Sequence, residues 1–185
     1  VPLAERRPPL DLPEQAVIEE AVSIHSGGME SYDFHALEVL QSMVESRRGG
    51  ETGVSEVQLI EGDDVWRAAE EGRWSLALAQ AAIEAGADKD VGKIRDFIEP
   101  GDGQKHRVHA ILIKYRDGLR GTMLRIGSSA TRWNFACRIA GQSAPLATSF
   151  YVGPWQNRNL FKALSHAIQT HIRHKQAPYP VERTY

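Results

Sequence analysis

The residues of this chain best placed to do chemistry are Gly27-Gly28-Met29-Glu30-Ser31-Tyr32-Asp33-Phe34-His35, a glycine pair running into a helix start that carries acids and an imidazole. An imidazole with a pKa near ~6.5 exchanges a proton at neutral pH, which makes His35 a candidate general acid or base toward a substrate hydroxyl. It is equally a candidate structural histidine. Glu30 and Asp33 could bind substrate as carboxylates, or could simply offset the positive end of the helix dipole. Ser31 stands one turn before His35 and within its reach, whereas Asp33 is two residues away and points elsewhere on a regular helix. Tyr32 offers a ring either to a sugar or to the core.

The remaining reactive side chains are less suggestive. His106 and His109 are three apart in a β-rich stretch and so face opposite sides of a regular strand. His171 and His174 could share a helix face, but no nearby Cys, Asp or Glu completes a tetrahedral metal set, so no metal site is expected. Arg173-His174-Lys175 suits the negative end of a helix better than it suits a phosphate. Gly49-Gly50-Glu51-Thr52-Gly53 follows a helix rather than opening one, which rules it out as a pyrophosphate cradle.

The elements that must hold these groups can be read from periodicity. Residues 1–14 hold four prolines and two arginines, forming an extended arm expected to lie on a neighbour. A β-branched run over 16–24 ends at Ser26-Gly27-Gly28 and predicts a strand entering a turn. Phe34, Leu37, Leu40 and Val44 recur at helical spacing over 30–46, with Glu38, Gln41 and Glu45 opposite; Arg47, Arg48 and Gly49-Gly50 close that helix. A strand is predicted over 54–60 and short helices over 63–71 and 75–85, followed by a polar loop over 86–105. Runs over 108–115 and 119–126 flank Arg116-Asp117-Gly118, a hairpin signal in which both Asp117 and Gly118 are expected at positive φ. From 132 to 139, Trp133, Phe135, Cys137 and Ile139 alternate with Arg132, Asn134 and Arg138. One face is therefore buried and the other left for solvent, a carbohydrate or a second sheet. A strand over 145–152 precedes an apolar helical stripe, Leu160, Phe161, Leu164, Ile168 and Ile172, expected to cover the sheet. The fold class is α+β: an open, mainly antiparallel sheet with helices covering one face, built as an arm over 1–15 and one substrate-binding and oligomerisation domain over 16–185.

Composition bounds the function. The 22 basic and 24 acidic residues are intermixed and leave a formal charge of −2, so neither nucleic acid nor an anionic membrane is an expected partner. The lone Cys137 cannot form an internal disulfide and fits a reducing compartment, and no apolar run approaches the ~20 residues needed to span a bilayer; a cytoplasmic protein is expected.

Gly27, Gly28 and His35, the hairpin at Asp117-Gly118 and the late Pro180-Val181-Glu182-Arg183 segment, in this order and spacing, resemble the C-terminal domain of the glucose-fructose oxidoreductase, inositol dehydrogenase and rhizopine catabolism family (Gfo/Idh/MocA). The family pattern has Asp four residues before the histidine; Ser31 stands there, with Glu30 and Asp33 as displaced acids. The resemblance implies the substrate-binding and oligomerisation domain of an NAD(P)-dependent oxidoreductase acting on a sugar or polyol. His35 would lie at the reacting hydroxyl, Glu30, Ser31, Tyr32 and Asp33 beside it, and copies of the sheet would pair into a homo-oligomer. Family members carry NAD or NADP on a preceding Rossmann domain, so this chain alone is expected to bind neither. The far wall of the His35 cleft would then belong to other polypeptide. The alternative is a non-catalytic ligand-binding or self-association module derived from that domain.

Overall fold

A computed structural model of the chain describes residues 1–86, 92–97, 108–127, 133–179 and 181–184. Seven strands form one sheet: β1 (Glu5–Arg7), β2 (Ile18–His25), β3 (Val54–Glu61), β4 (His109–Tyr115), β5 (Arg120–Arg125), β6 (Asn134–Ile139) and β7 (Leu146–Tyr151). Their order is β1-β7-β6-β2-β5-β4-β3. All neighbours are antiparallel except β2 and β5, which run parallel from Glu20↔Arg120 to His25↔Arg125. The helices are α1 (Met29–Val44), α2 (Asp63–Glu70), α3 (Leu76–Ala85) and α4 (Arg158–His174). The architecture is the α+β class anticipated from sequence, with a mixed, mostly antiparallel sheet.

Helices flank both faces of this sheet rather than one. Because side chains alternate along a strand, Ala21 and Ser23 of β2 turn to one side while Val22 and Ile24 turn to the other. On the first side Ala36, Val39, Leu40 and Met43 of α1 pack with Ala21, Met123, Phe135, Cys137 and Phe150. On the second, Val65 and Trp66 of α2 and Leu78, Ala82 and Ile83 of α3 pack with Val22, Ile24, Leu124 and Ala136. A central strand buried on both faces carries little period-2 contrast, which explains why the 16–24 run reads only as β-branched.

The arm lies on its own chain: Glu5–Arg7 pairs with Ser149–Tyr151 of β7. The 108–126 hairpin turns differently from expectation. Asp117 does not take positive φ; Gly118 alone does, at 91°, and Tyr115 and Leu119 stay paired across Arg116-Asp117-Gly118. This is the three-residue loop in which a turn is followed by one left-handed residue. Arg47 is buried beneath it, donating to Val44 O, Asp117 Oδ2 and Thr52 Oγ1 at 2.7–2.8 Å, and so ties the end of α1 to the hairpin. Trp133, Phe135, Cys137 and Ile139 all enter the α1-side core, as their alternation predicts. The 86–105 loop falls mainly outside the described residues, as do His106, Arg132 and Pro180.

The C-terminal helix corrects the reading from periodicity. No residue of α4 is buried, and Phe161, Leu164, Ile168 and Ile172 lie 42–69% exposed instead of covering the sheet. The reason is position: α4 sits beyond the β1 edge, next to a strand of only three residues, where little sheet remains to be covered.

Candidate functional site

The site is built where β2 turns into α1. Gly27 must be glycine because a Cβ there would run into the Tyr32 ring, which folds back over the turn. Gly28 then starts the helix, accepting from the amides of Ser31 and Tyr32 at 3.2 and 3.0 Å. With ~100° of rotation per residue on a helix, neighbouring side chains diverge. Tyr32 packs toward Trp133, with ring centroids 5.7 Å apart, Asp33 turns into the sheet, and His35 faces outward.

His35 opens on a pocket of about 480 Å³. Ser31, Tyr32, His35 and Glu38 of α1 form one wall and Trp133 the floor. The opposite wall comes from this chain itself, from Leu160, Phe161 and Leu164 of α4 with Asn157 and Tyr179, and not from other polypeptide as expected. His35 Nδ1 lies 3.2 Å from Glu38 Oε2, with its side chain 43% exposed and that of Glu38 only 14%. The ring edge of His35 meets Trp133 at 6.1 Å and 88°. Of the five residues predicted from sequence, the structure brings Ser31, Tyr32 and His35 together here. Glu30 is exposed and does not line the pocket, and Asp33 faces away from it.

Asp33 instead joins a buried cluster. His109 Nε2 stands 2.8 Å from Asp33 Oδ2, and His25 Nε2 lies 2.9 Å from Oδ1. The His109 contact is a well-formed hydrogen bond; the His25 contact is as short but off the hydrogen-bond line, leaving those two buried atoms to interact electrostatically. Burial alone would raise the Asp33 pKa, but the hydrogen bond from His109 and the close approach of the His25 ring outweigh it and hold the carboxyl at about 2. Burial pushes the His25 pKa below its ordinary value despite the opposing pull of Asp33, so its imidazole is neutral. Trp133 stacks on His25 at 5.9 Å and 13°, placing one indole between the buried cluster and the pocket.

Two imidazoles and a carboxylate within 4.8 Å of one another could in principle hold a metal ion. The hydrogen bonding favours a proton network instead. The Gly27 amide donates to His25 Nδ1 at 3.3 Å, which leaves the proton on Nε2, the atom a metal would need bare. Each Asp33 oxygen serves a different ring, and the buried guanidinium of Arg125 occupies the β5 position between His25 and His109 in the sheet. The cluster locks α1 onto β2 and β4.

Sequence reasoning missed Glu38, placed on the wet side of α1, although a carboxylate three residues after a histidine is a neighbour on any helix. It also missed His25 and His109 as partners of Asp33, since a contact spanning β2, α1 and β4 leaves no local spacing to read. Comparison with protein-family models, curated proteins and solved structures gives no match for this chain.

Proposed function

We propose that this chain binds a sugar or polyol in the His35 pocket and serves as the substrate-binding half of a cytoplasmic NAD(P)-dependent oxidoreductase. The observation that carries the reading is the pairing of His35 with Glu38 in a pocket framed by Trp133, Tyr32 and Tyr179. Its volume falls in the range of small-molecule sites, ~300–1,000 Å³. Aromatic faces suit the C–H faces of a sugar, and a few convergent polar groups fix its hydroxyls. With Nδ1 held by Glu38, His35 offers Nε2 to a ligand hydroxyl, and the carboxylate stabilises the imidazolium formed when that hydroxyl gives up its proton.

Among the described residues there is no fit for a dinucleotide. The Gly27-Gly28 turn is filled by the Tyr32 ring, and Gly49, Gly50 and Gly53 follow α1 instead of opening a helix. NAD or NADP would have to be held by groups other than the described residues, which offer substrate binding and proton transfer. The same filled turn favours the second reading, a ligand-binding module without redox chemistry. No helix of the described residues is long and apolar enough to cross a membrane, and burial pushes the Cys137 thiol up to about 12, which keeps it inert.

Calorimetric titration of the chain with a panel of hexoses and cyclic polyols tests the binding claim. Saturable binding that weakens about tenfold or more in His35→Ala and in Tyr179→Ala is expected. Absence of binding across the panel, or binding that neither substitution alters, would refute it. Oxidation of the bound ligand by the complete enzyme with added NAD or NADP separates the two readings; binding without turnover leaves the module.

A further inference from the structure

Among the described residues two apolar surfaces are left open, and they lie where they cannot cover each other. The first is the stripe Phe161, Leu164, Ile168 and Ile172 on α4. The second lies at the other end of the sheet, on β3, where Val57 is 62% and Leu59 49% exposed. Alternation turns Val57, Leu59 and Glu61 to the side opposite Ile60, which packs with α2 and α3; they therefore share the α1 side with half-buried Ile111 and Ile113 of β4. Phe34 joins them: it lies on one stripe of α1 with Leu37 and Gln41, and Gln41 accepts from the Tyr115 hydroxyl at the end of β4. α4 is also on the α1 side, since it walls the His35 pocket. Yet α4 neighbours β1 and the open patch is on β3, six strand spacings or roughly 29 Å across the sheet.

The charges match as well. From Arg158 to Lys175 the chain carries Arg158, Lys162, Arg173 and Lys175 with three histidines and not one acid. Exposed acids rim the patch: Glu30 stands one turn before Phe34 on α1, Glu51 accepts from Gln41 of the same stripe, and Glu61 shares the Val57 and Leu59 side of β3. Two α4 helices would repel each other; α4 against the acid-rimmed patch would not.

We propose that α4 of one copy docks on the β3–β4 face of a second copy and receives that copy's α4 on its own, giving a two-fold dimer. A two-fold axis parallel to the strands that sets α1 sides together places the β1 end of one sheet opposite the β3 end of the other, so the contact forms twice and closes without open ends. Doubling the half-exposed residues outside the pocket, Ile168, Ile172, Phe34, Val57 and Leu59, brings the apolar area to on the order of 1,000 Å², the threshold for a specific interface. The inference does not rest on a sugar ligand, because its test reads mass.

Light scattering on the 185-residue chain at micromolar concentration should give twice 20.6 kDa. Ile168→Glu and Leu59→Lys, both at exposed positions, should each weaken the dimer about tenfold or more while leaving the circular dichroism unchanged, and the chain carrying both should recover it. A wild-type mass of 20.6 kDa overturns the proposal. So does a dimer broken by Ile168→Glu but indifferent to Leu59→Lys, which would mean helix pairing with helix. A doubly substituted chain that stays monomeric, or a wild-type monomer that binds phosphatidylserine vesicles through α4, overturns it too.

Discussion

Asp33 and His35 are two residues apart on one helix and do different work, because rotation along α1 sends one into the sheet and the other into a pocket. The buried carboxylate sets the acid sensitivity of the fold. Its pKa is lowered from 3.8 to about 2, so its contribution to stability is complete above 3.8 and is lost as pH falls toward about 2. The His25 pKa is also lowered, from 6.5, so the folded state binds fewer protons there than the unfolded chain, and stability is full above 6.5 and declines as pH falls below it. Urea midpoints across pH should show a first loss beginning near the ordinary histidine value and a second in the carboxylate range. His109→Ala should cost about 3 kcal/mol at neutral pH by leaving a buried carboxylate short of a partner, and it should shift the second loss to higher pH. A midpoint flat from neutral pH to the carboxylate range would show that His25 is not held neutral. His35→Ala, at a half-exposed position, should change stability by less than ~0.5 kcal/mol.

At the level of elements, the β2–α1 turn governs both the pocket and the buried cluster. Gly27→Ala should displace Tyr32 from above the turn, weakening ligand binding and lowering stability by about 1–3 kcal/mol, as over-packing does. Tyr32→Ser in the same chain should recover most of the stability but not the binding, since the ring is gone. Equal loss in single and double variants would mean that the turn is strained for another reason. These elements were legible wherever local pattern carried the signal: the helical period of α1, the alternation from Trp133 to Ile139, and Asp-Gly at the hairpin, although the buried face of α1 runs through Ala36, Val39, Leu40, Met43 and Val44 and leaves Phe34 of the expected stripe exposed. Two features were hidden by their context. Positive φ at Gly118 alone depends on a three-residue loop anchored by Arg47 from another element. The helical period of α4 was plain, but a period says only that a face is apolar, and what lies beneath it depends on which sheet edge the chain returns to.

At the scale of the whole molecule, one sheet separates two hydrophobic cores. α2 and α3 complete the core beneath one face, while on the other α1 packs the centre and leaves a pocket at the β1 end and an apolar patch at the β3 end. Of the candidate site, the sequence exposed what is contiguous, Gly27 to His35. It did not expose Glu38 as the partner of His35, nor the walls from Trp133, Tyr179 and α4, which only topology brings near. The proposed sugar binding and the ring-lined pocket meet at one atom, His35 Nε2, the imidazole nitrogen left open to a ligand by Glu38. Nitrogen chemical shifts of the histidine rings, followed while a cyclic polyol is added, test that meeting most directly. The account predicts a saturable shift at His35 Nε2, with the signals of buried His25 and His109 unmoved; saturable binding that leaves His35 unchanged would contradict it.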